Sequence, residues 1–217
     1  MIRLKIATID GPAGDLEVAT FLCDLNEPLP PTAILVMHPH PIHGGSMENK
    51  VVMTIARAAR DLGLAVVTFN FRGVGGSEGE WAGGVGEIDD AFAVASVMLK
   101  SGVSHLLLAG FSFGACVAAH LVPKIQNVFS NVQILDLIQV APAIENFPIQ
   151  VEVPFDVPHF ILVNIDDDVV SSDAIIEFAK KSRADIVINP SGGHFFHGDL
   201  VRLKKLIMER IQHLGHQ

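Results

Sequence analysis

Short, largely apolar runs rich in β-branched residues recur along the chain at Ala33 to Met37, Ala65 to Phe71, Leu106 to Gly110, Ile134 to Val140, Phe160 to Ile165 and Ile186 to Ile188. Their length and composition predict strands buried on both faces. Between them the apolar spacing changes to that of helices. From Met47 to Leu62, residues Val51, Val52, Ile55, Ala56, Ala59 and Leu62 fall on one helical face, and Gly63 is placed to end it. Glu87 to Leu99, Asp173 to Lys181 and Leu200 to Leu214 read the same way, as does the run Ala115, Val117, Ala118, Ala119, Leu121. Strand and helix alternating at this rhythm predict an α/β fold, a mainly parallel twisted sheet with helices on both faces. Two earlier segments, near 2 to 9 and 16 to 23, are joined through Gly11-Pro-Ala-Gly14 and predict an antiparallel hairpin at the N-terminal edge. From Ala141 to Pro158 four prolines discourage a helix, and the stretch is too short for a cap domain.

Composition narrows the class. The 217 residues suit a single domain spanning 1–217. Hydrophobic residues make up 49% of the chain, and the mean hydropathy is +0.41, so a membrane protein has to be considered. The stretch from Ser101 to Pro123 carries no Asp, Glu, Lys or Arg, but Gly110, Ser112, Gly114 and His120 interrupt it and its pattern turns from strand to helix midway. A doubly covered parallel sheet explains the apolarity better than a bilayer span. The net charge of −9, with 15 basic residues that form no cluster, speaks against nucleic acid as a partner. Cys23 and Cys116 are far apart and fit neither a disulfide framework nor a thiolate metal site. With no apolar leader at the start, the expected location is cytoplasmic.

The chemistry gathers where predicted strands end, which is where parallel sheets hold their ligands. Gly110-Phe-Ser-Phe-Gly114 lies between a strand and a helix, so Ser112 would occupy a turn tight enough to push its hydroxyl out of the fold, and the glycines would allow the two backbones to approach. The other loaded ends are His38-Pro-His-Pro-Ile-His-Gly-Gly45, Arg72-Gly-Val-Gly-Gly-Ser77, Asp166-Asp-Asp168 and Asn189-Pro-Ser-Gly-Gly-His194. Arg72 to Gly79 is not a dinucleotide loop, because Glu78 stands where the third glycine is needed. It reads as a tight turn that brings Arg72 near the site, and Trp81 beyond it reads as a packing residue. His38, His40, His43 and His194 could be imagined around a metal. Pro39 and Pro41 hold the loop extended and scatter the rings, so no metal is expected.

Taken together, HPHPIHGG, NFRGVGGSEG, GFSFG, DDDVV and GGHFFHG resemble the small, capless alpha/beta-hydrolase group related to dienelactone hydrolases, over roughly residues 32 to 200. The resemblance implies a serine hydrolase with Ser112 as nucleophile and His194 as base, His197 being the rival three residues on. It implies Asp167 as the acid, by the spacing Gly-x-x-Asp-x-x-Val-Pro, from which Asn164 and Ser171 depart; Asp166 and Asp168 remain alternatives. Phe195 and Phe196 would seat the base loop on the core. Backbone N–H groups of Phe113 and His40 would form the oxyanion hole, since Pro41 has no N–H to offer. No cofactor is implied. The partner is a small ester-like molecule, with short acyl groups favoured by an open, lidless pocket. A base that must be neutral predicts a rate falling as the pH drops through the ordinary imidazole range. The rival classes are a non-catalytic binding protein on the same fold and a His-ligated metallohydrolase.

Overall fold

The structure, a computed structural model, describes residues 4–214. Eight strands form one sheet: β1 (Lys5–Gly11), β2 (Gly14–Phe21), β3 (Thr32–Met37), β4 (Ala65–Phe69), β5 (His105–Phe111), β6 (Gln133–Val140), β7 (His159–Asn164) and β8 (Asp185–Asn189). Their order is β1-β2-β4-β3-β5-β6-β7-β8. The pairings β1 with β2 and β2 with β4 are antiparallel, and all the others are parallel. The hairpin edge is as expected from residue 5 onward; positions 2 and 3 lie outside the described residues.

Five helices connect and cover the strands: α1 (Lys50–Asp61), α2 (Val85–Lys100), α3 (Phe113–Val128), α4 (Ser172–Ser182) and α5 (Leu200–Leu214). The central strands are apolar throughout because they serve two cores. In β3, Ile34 and Val36 belong to a cluster shared with α1 and α5. Ala33, Leu35 and Met37 point the other way, into a cluster shared with α2 and α3. No cap domain interrupts the alternation of strand and helix among the described residues. None of their helices is long and apolar enough to cross a membrane.

Several boundaries differ from the sequence pattern, and three of them do so for a visible reason. β4 stops at Phe69: Asn70 N still donates to Glu17 O on β2, but Phe71 N turns away from the sheet to His38 Nε2. α1 starts at Lys50, where the Asn49 side chain accepts from Val51 N at 2.9 Å and caps the helix. α3 continues through Pro123 to Val128; burial of Leu121, Val122 and Ile125 against the sheet offsets the missing backbone donor.

Candidate active site

Ser112 stands between β5 and α3 with φ 55° and ψ −116°, a conformation that costs a non-glycine residue about 1–3 kcal/mol. The surroundings enforce it. A Cβ on Gly110 would collide with the backbone of Gly114 and Ala115, and one on Gly114 would lie 2.5 Å from the carbonyl oxygens of Met37 and His38. The elbow is therefore wedged between its own helix and the end of β3, and Ser112 N is tied to Val140 O on β6 at 2.9 Å.

His194 comes from the loop between β8 and α5. Its Nε2 is 3.0 Å from Ser112 Oγ, and its Nδ1 is 2.8 Å from Asp167 Oδ2. Both side chains of the second pair are buried. An ionised carboxylate only accepts, so Nδ1–H donates to Asp167 and Nε2 is left to accept from the serine hydroxyl. The other oxygen, Asp167 Oδ1, accepts from Val169 N and Val170 N, each at 2.9 Å, which fixes the carboxylate plane. Ser112, Asp167 and His194 thus form one hydrogen-bonded chain. Asp166 instead accepts from Gly192 N at 3.1 Å and Gly193 N at 2.9 Å, and these amides, Gly193 first, hold its carboxyl below the usual range. Asp168 makes no hydrogen bond to His194, and the exposed His197 ring takes no part in the chain.

The amides of Phe113 and His40 are the two expected to face an oxyanion. Phe113 N is the first helical amide of α3, where no intrahelical acceptor exists. Neither it nor His40 N donates in a hydrogen bond found among the described residues. The His40 ring lies 5.2 Å from Phe113 and 4.4 Å from Trp81, so the loop after β3 is packed beside the start of α3.

A model of the alpha/beta hydrolase fold matches residues 42–176. The chain belongs to the alpha/beta hydrolase family. It is 34% identical to an alpha-beta serine hydrolase homologue from Coxiella burnetii, with 97% of this chain and 98% of that one covered at a TM-score of 0.83. A serine hydrolase without lid from Xanthomonas campestris is 33% identical, with 97% and 94% covered at a TM-score of 0.84. An uncharacterized protein of Rickettsia prowazekii is 32% identical over 210 residues, which is 91% of this chain and 84% of that protein.

Within this alpha/beta hydrolase, several singled-out residues serve the frame. His38 is buried, with Nδ1 2.6 Å from Pro39 O and Nε2 accepting from Phe71 N at 3.0 Å. Burial pulls its pKa down to about 3, so it is a neutral strut between β3 and the loop after β4. With both ring nitrogens engaged it has no lone pair for a metal. Arg72, expected near the site, is turned to α2, where the buried Asp90 grips its Nε and Nη2 and also accepts from its backbone N. That carboxylate, not the serine, is what the arginine serves. Trp81 packs against His40 and Phe113, as its packing role requires. Of the two phenylalanines after His194, only Phe196 is seated in the core; Phe195 is 44% exposed and stands edge-on to the His194 ring at 5.1 Å.

Sequence reasoning missed one part of the base loop's support. Asn164, at the end of β7, donates Nδ2 to Gly193 O at 2.6 Å. With Asp166 on Gly193 N, the residue before His194 is held by both its amide and its carbonyl. The signal was the asparagine itself, in a place where the family motif has glycine. Its register partner Asn189 is fully buried, and the Asn189 amide and Asn164 Oδ1 find no hydrogen-bond partner.

Proposed function

We propose that this alpha/beta hydrolase cleaves small-molecule esters by acyl transfer through Ser112. The observation that carries the reading is the continuous chain from Asp167 through His194 to Ser112, ending on a serine in a strained elbow. His194 Nε2 takes the hydroxyl proton as Oγ attacks the ester carbonyl, and Asp167 holds the ring and balances its positive charge. The carbonyl π pair moves onto oxygen, where the amides of Phe113 and His40 receive it, each donor contributing about 3 kcal/mol in comparable sites. The tetrahedral centre collapses, the C–O bond breaks, and His194 returns the proton to the departing alcohol. Water, deprotonated by the same nitrogen, then attacks the acyl-enzyme and releases the acid. Each proton passes through His194 Nε2, the first from Ser112 to the alcohol and the second from water back to Ser112 Oγ as the acid leaves.

Labelling with a fluorophosphonate, alongside hydrolysis of p-nitrophenyl acetate, tests the reading. The wild type is labelled and active, and Ser112→Ala is neither. A folded wild type that takes no label points to a binding protein, and activity that survives Ser112→Ala but is lost to a chelator points to a metallohydrolase.

A further inference from the structure

If the serine-hydrolase reading holds, each oxyanion donor needs an aim that is already set when charge develops on the substrate. The Phe113 amide takes its aim from α3, the 16-residue helix that it begins. The His40 amide has no such frame. It precedes a single turn of 3-10 helix, Pro41–His43, whose first residue has no N–H to contribute. The peptide between Pro39 and His40 therefore has to be held from elsewhere.

A peptide unit is planar, and in its trans form the C=O and N–H point in opposite directions, so a grip on the carbonyl aims the amide. Pro39 O lies 2.6 Å from His38 Nδ1. The other ring nitrogen decides the tautomer: Phe71 N can only donate, so Nε2 accepts from it at 3.0 Å and the ring hydrogen sits on Nδ1. The His38 ring is buried and packed against Phe71, centroids 4.5 Å apart, so it is not free to turn. Gly45 packs against the same carbonyl, and a Cβ there would overlap Pro39 O and lie 2.7 Å from His40 O. The peptide that follows is tied down separately. His40 O accepts from His43 N at 3.2 Å and from Gly45 N at 3.0 Å, and His40 Nδ1 accepts from Ile42 N at 3.3 Å. The bond from His38 is the one that acts on the plane containing the oxyanion donor.

We propose that His38 is a positioning residue for catalysis: its Nδ1–H holds Pro39 O and so aims the His40 N–H at the developing oxyanion. Two substitutions separate this task from the tie to Phe71. The Asn amide reaches where Nδ1 stands and the Gln amide where Nε2 stands. His38→Asn thus keeps a donor for Pro39 O and gives up Phe71 N, and His38→Gln does the reverse. Gly45→Ala presses on the same carbonyl without touching the buried ring, and it decides the matter should neither His38 variant fold.

The readout is the ratio of kcat/KM for p-nitrophenyl acetate to kcat/KM for its thiono analogue, in which sulfur, a weak acceptor, replaces the carbonyl oxygen. Damage to the fold or to the triad slows both substrates, whereas a misaimed oxyanion donor slows mainly the oxygen ester. His38→Gln and Gly45→Ala are expected to lower the ratio about tenfold, short of the roughly 10²-fold or more that outright removal of a donor costs, and to lower kcat more than they raise KM. His38→Asn is expected to hold the ratio near that of the wild type, although it melts at a lower temperature because the buried Phe71 N–H has lost its acceptor. A ratio unmoved in His38→Gln, or lowered equally in the Asn and Gln variants, overturns the assignment. If neither variant folds, an unmoved ratio in Gly45→Ala overturns it. In each of these cases a wild type that takes the fluorophosphonate label and hydrolyses the acetate leaves the serine-hydrolase reading in place. A wild type that does neither overturns both.

Discussion

Ser112 and His194 meet at 3.0 Å, yet the two are held by different means. The serine is fixed by backbone sterics: five consecutive residues, two of them glycines that nothing larger can replace, force its φ positive. The histidine is fixed by side chains from another loop, with Asn164, Asp166 and Asp167 gripping Gly193 and the imidazole. Steric confinement fails all at once when a wall moves. Hydrogen-bonded ties can be removed one at a time, and each removal should have a graded effect.

The largest effect is expected at the elbow. Ser112→Gly should lower kcat/KM by about 10⁶-fold, since a missing nucleophile costs about as much as the whole set of catalytic groups. The same substitution relieves the positive φ, so stability should rise by about 1 kcal/mol. Activity and thermal melts read the two together. A variant that is dead but no more stable would show that the elbow carries no strain. On the other side, Asp167→Asn should cost about 10⁴-fold in kcat, because an amide cannot hold the imidazole in the same tautomer with its charge balanced. Next in size is Gly114→Ala, whose methyl would meet the Met37 and His38 carbonyls at 2.5 Å. Overpacking of this kind costs about 3 kcal/mol, and denaturant unfolding would show it. A Gly114→Ala protein as stable as wild type would mean that the wall can yield.

The same contrast decides what the sequence made legible. The elbow is built from neighbours in the chain, so the flanking run of strand and helix and the two glycines declare it. The parallel sheet was equally readable, because strands that serve two cores must be apolar throughout, as Ala33 to Met37 are. The acid could be narrowed but not settled among three successive aspartates. Which carboxylate reaches the imidazole depends on how Val169 and Val170 turn their amides onto Asp167, and no local pattern records that. What Arg72 holds was hidden for a related reason. Its partner Asp90 lies 18 residues away on a helix whose facing the sequence leaves open.

The finest distinction lies within the base loop, at Asn164 and Asp166. Asn164→Gly restores the residue usual in the family motif and removes the 2.6 Å bond to Gly193 O. Losing one such bond, worth about 1.4 kcal/mol, should lower kcat about tenfold with little change in KM. Stability should move less than that, because the substitution also removes a buried Oδ1 that has no partner. Asp166→Asn should cost less, about threefold in kcat, since an amide oxygen can still accept from Gly192 and Gly193, although without the charge that strengthens both bonds. Those bonds hold the Asp166 carboxyl below its ordinary value, so its contribution is present above the usual carboxylate range and is lost only as the pH falls through the lowered value. Hence the kcat ratio of wild type to Asp166→Asn should stay constant from neutral pH down to the ordinary carboxylate range. A ratio already near one at neutral pH, where Asp166 is ionised, would mean that Asp166 does not hold the loop through its charge, and that the base is fixed by the backbone after all, as the serine is.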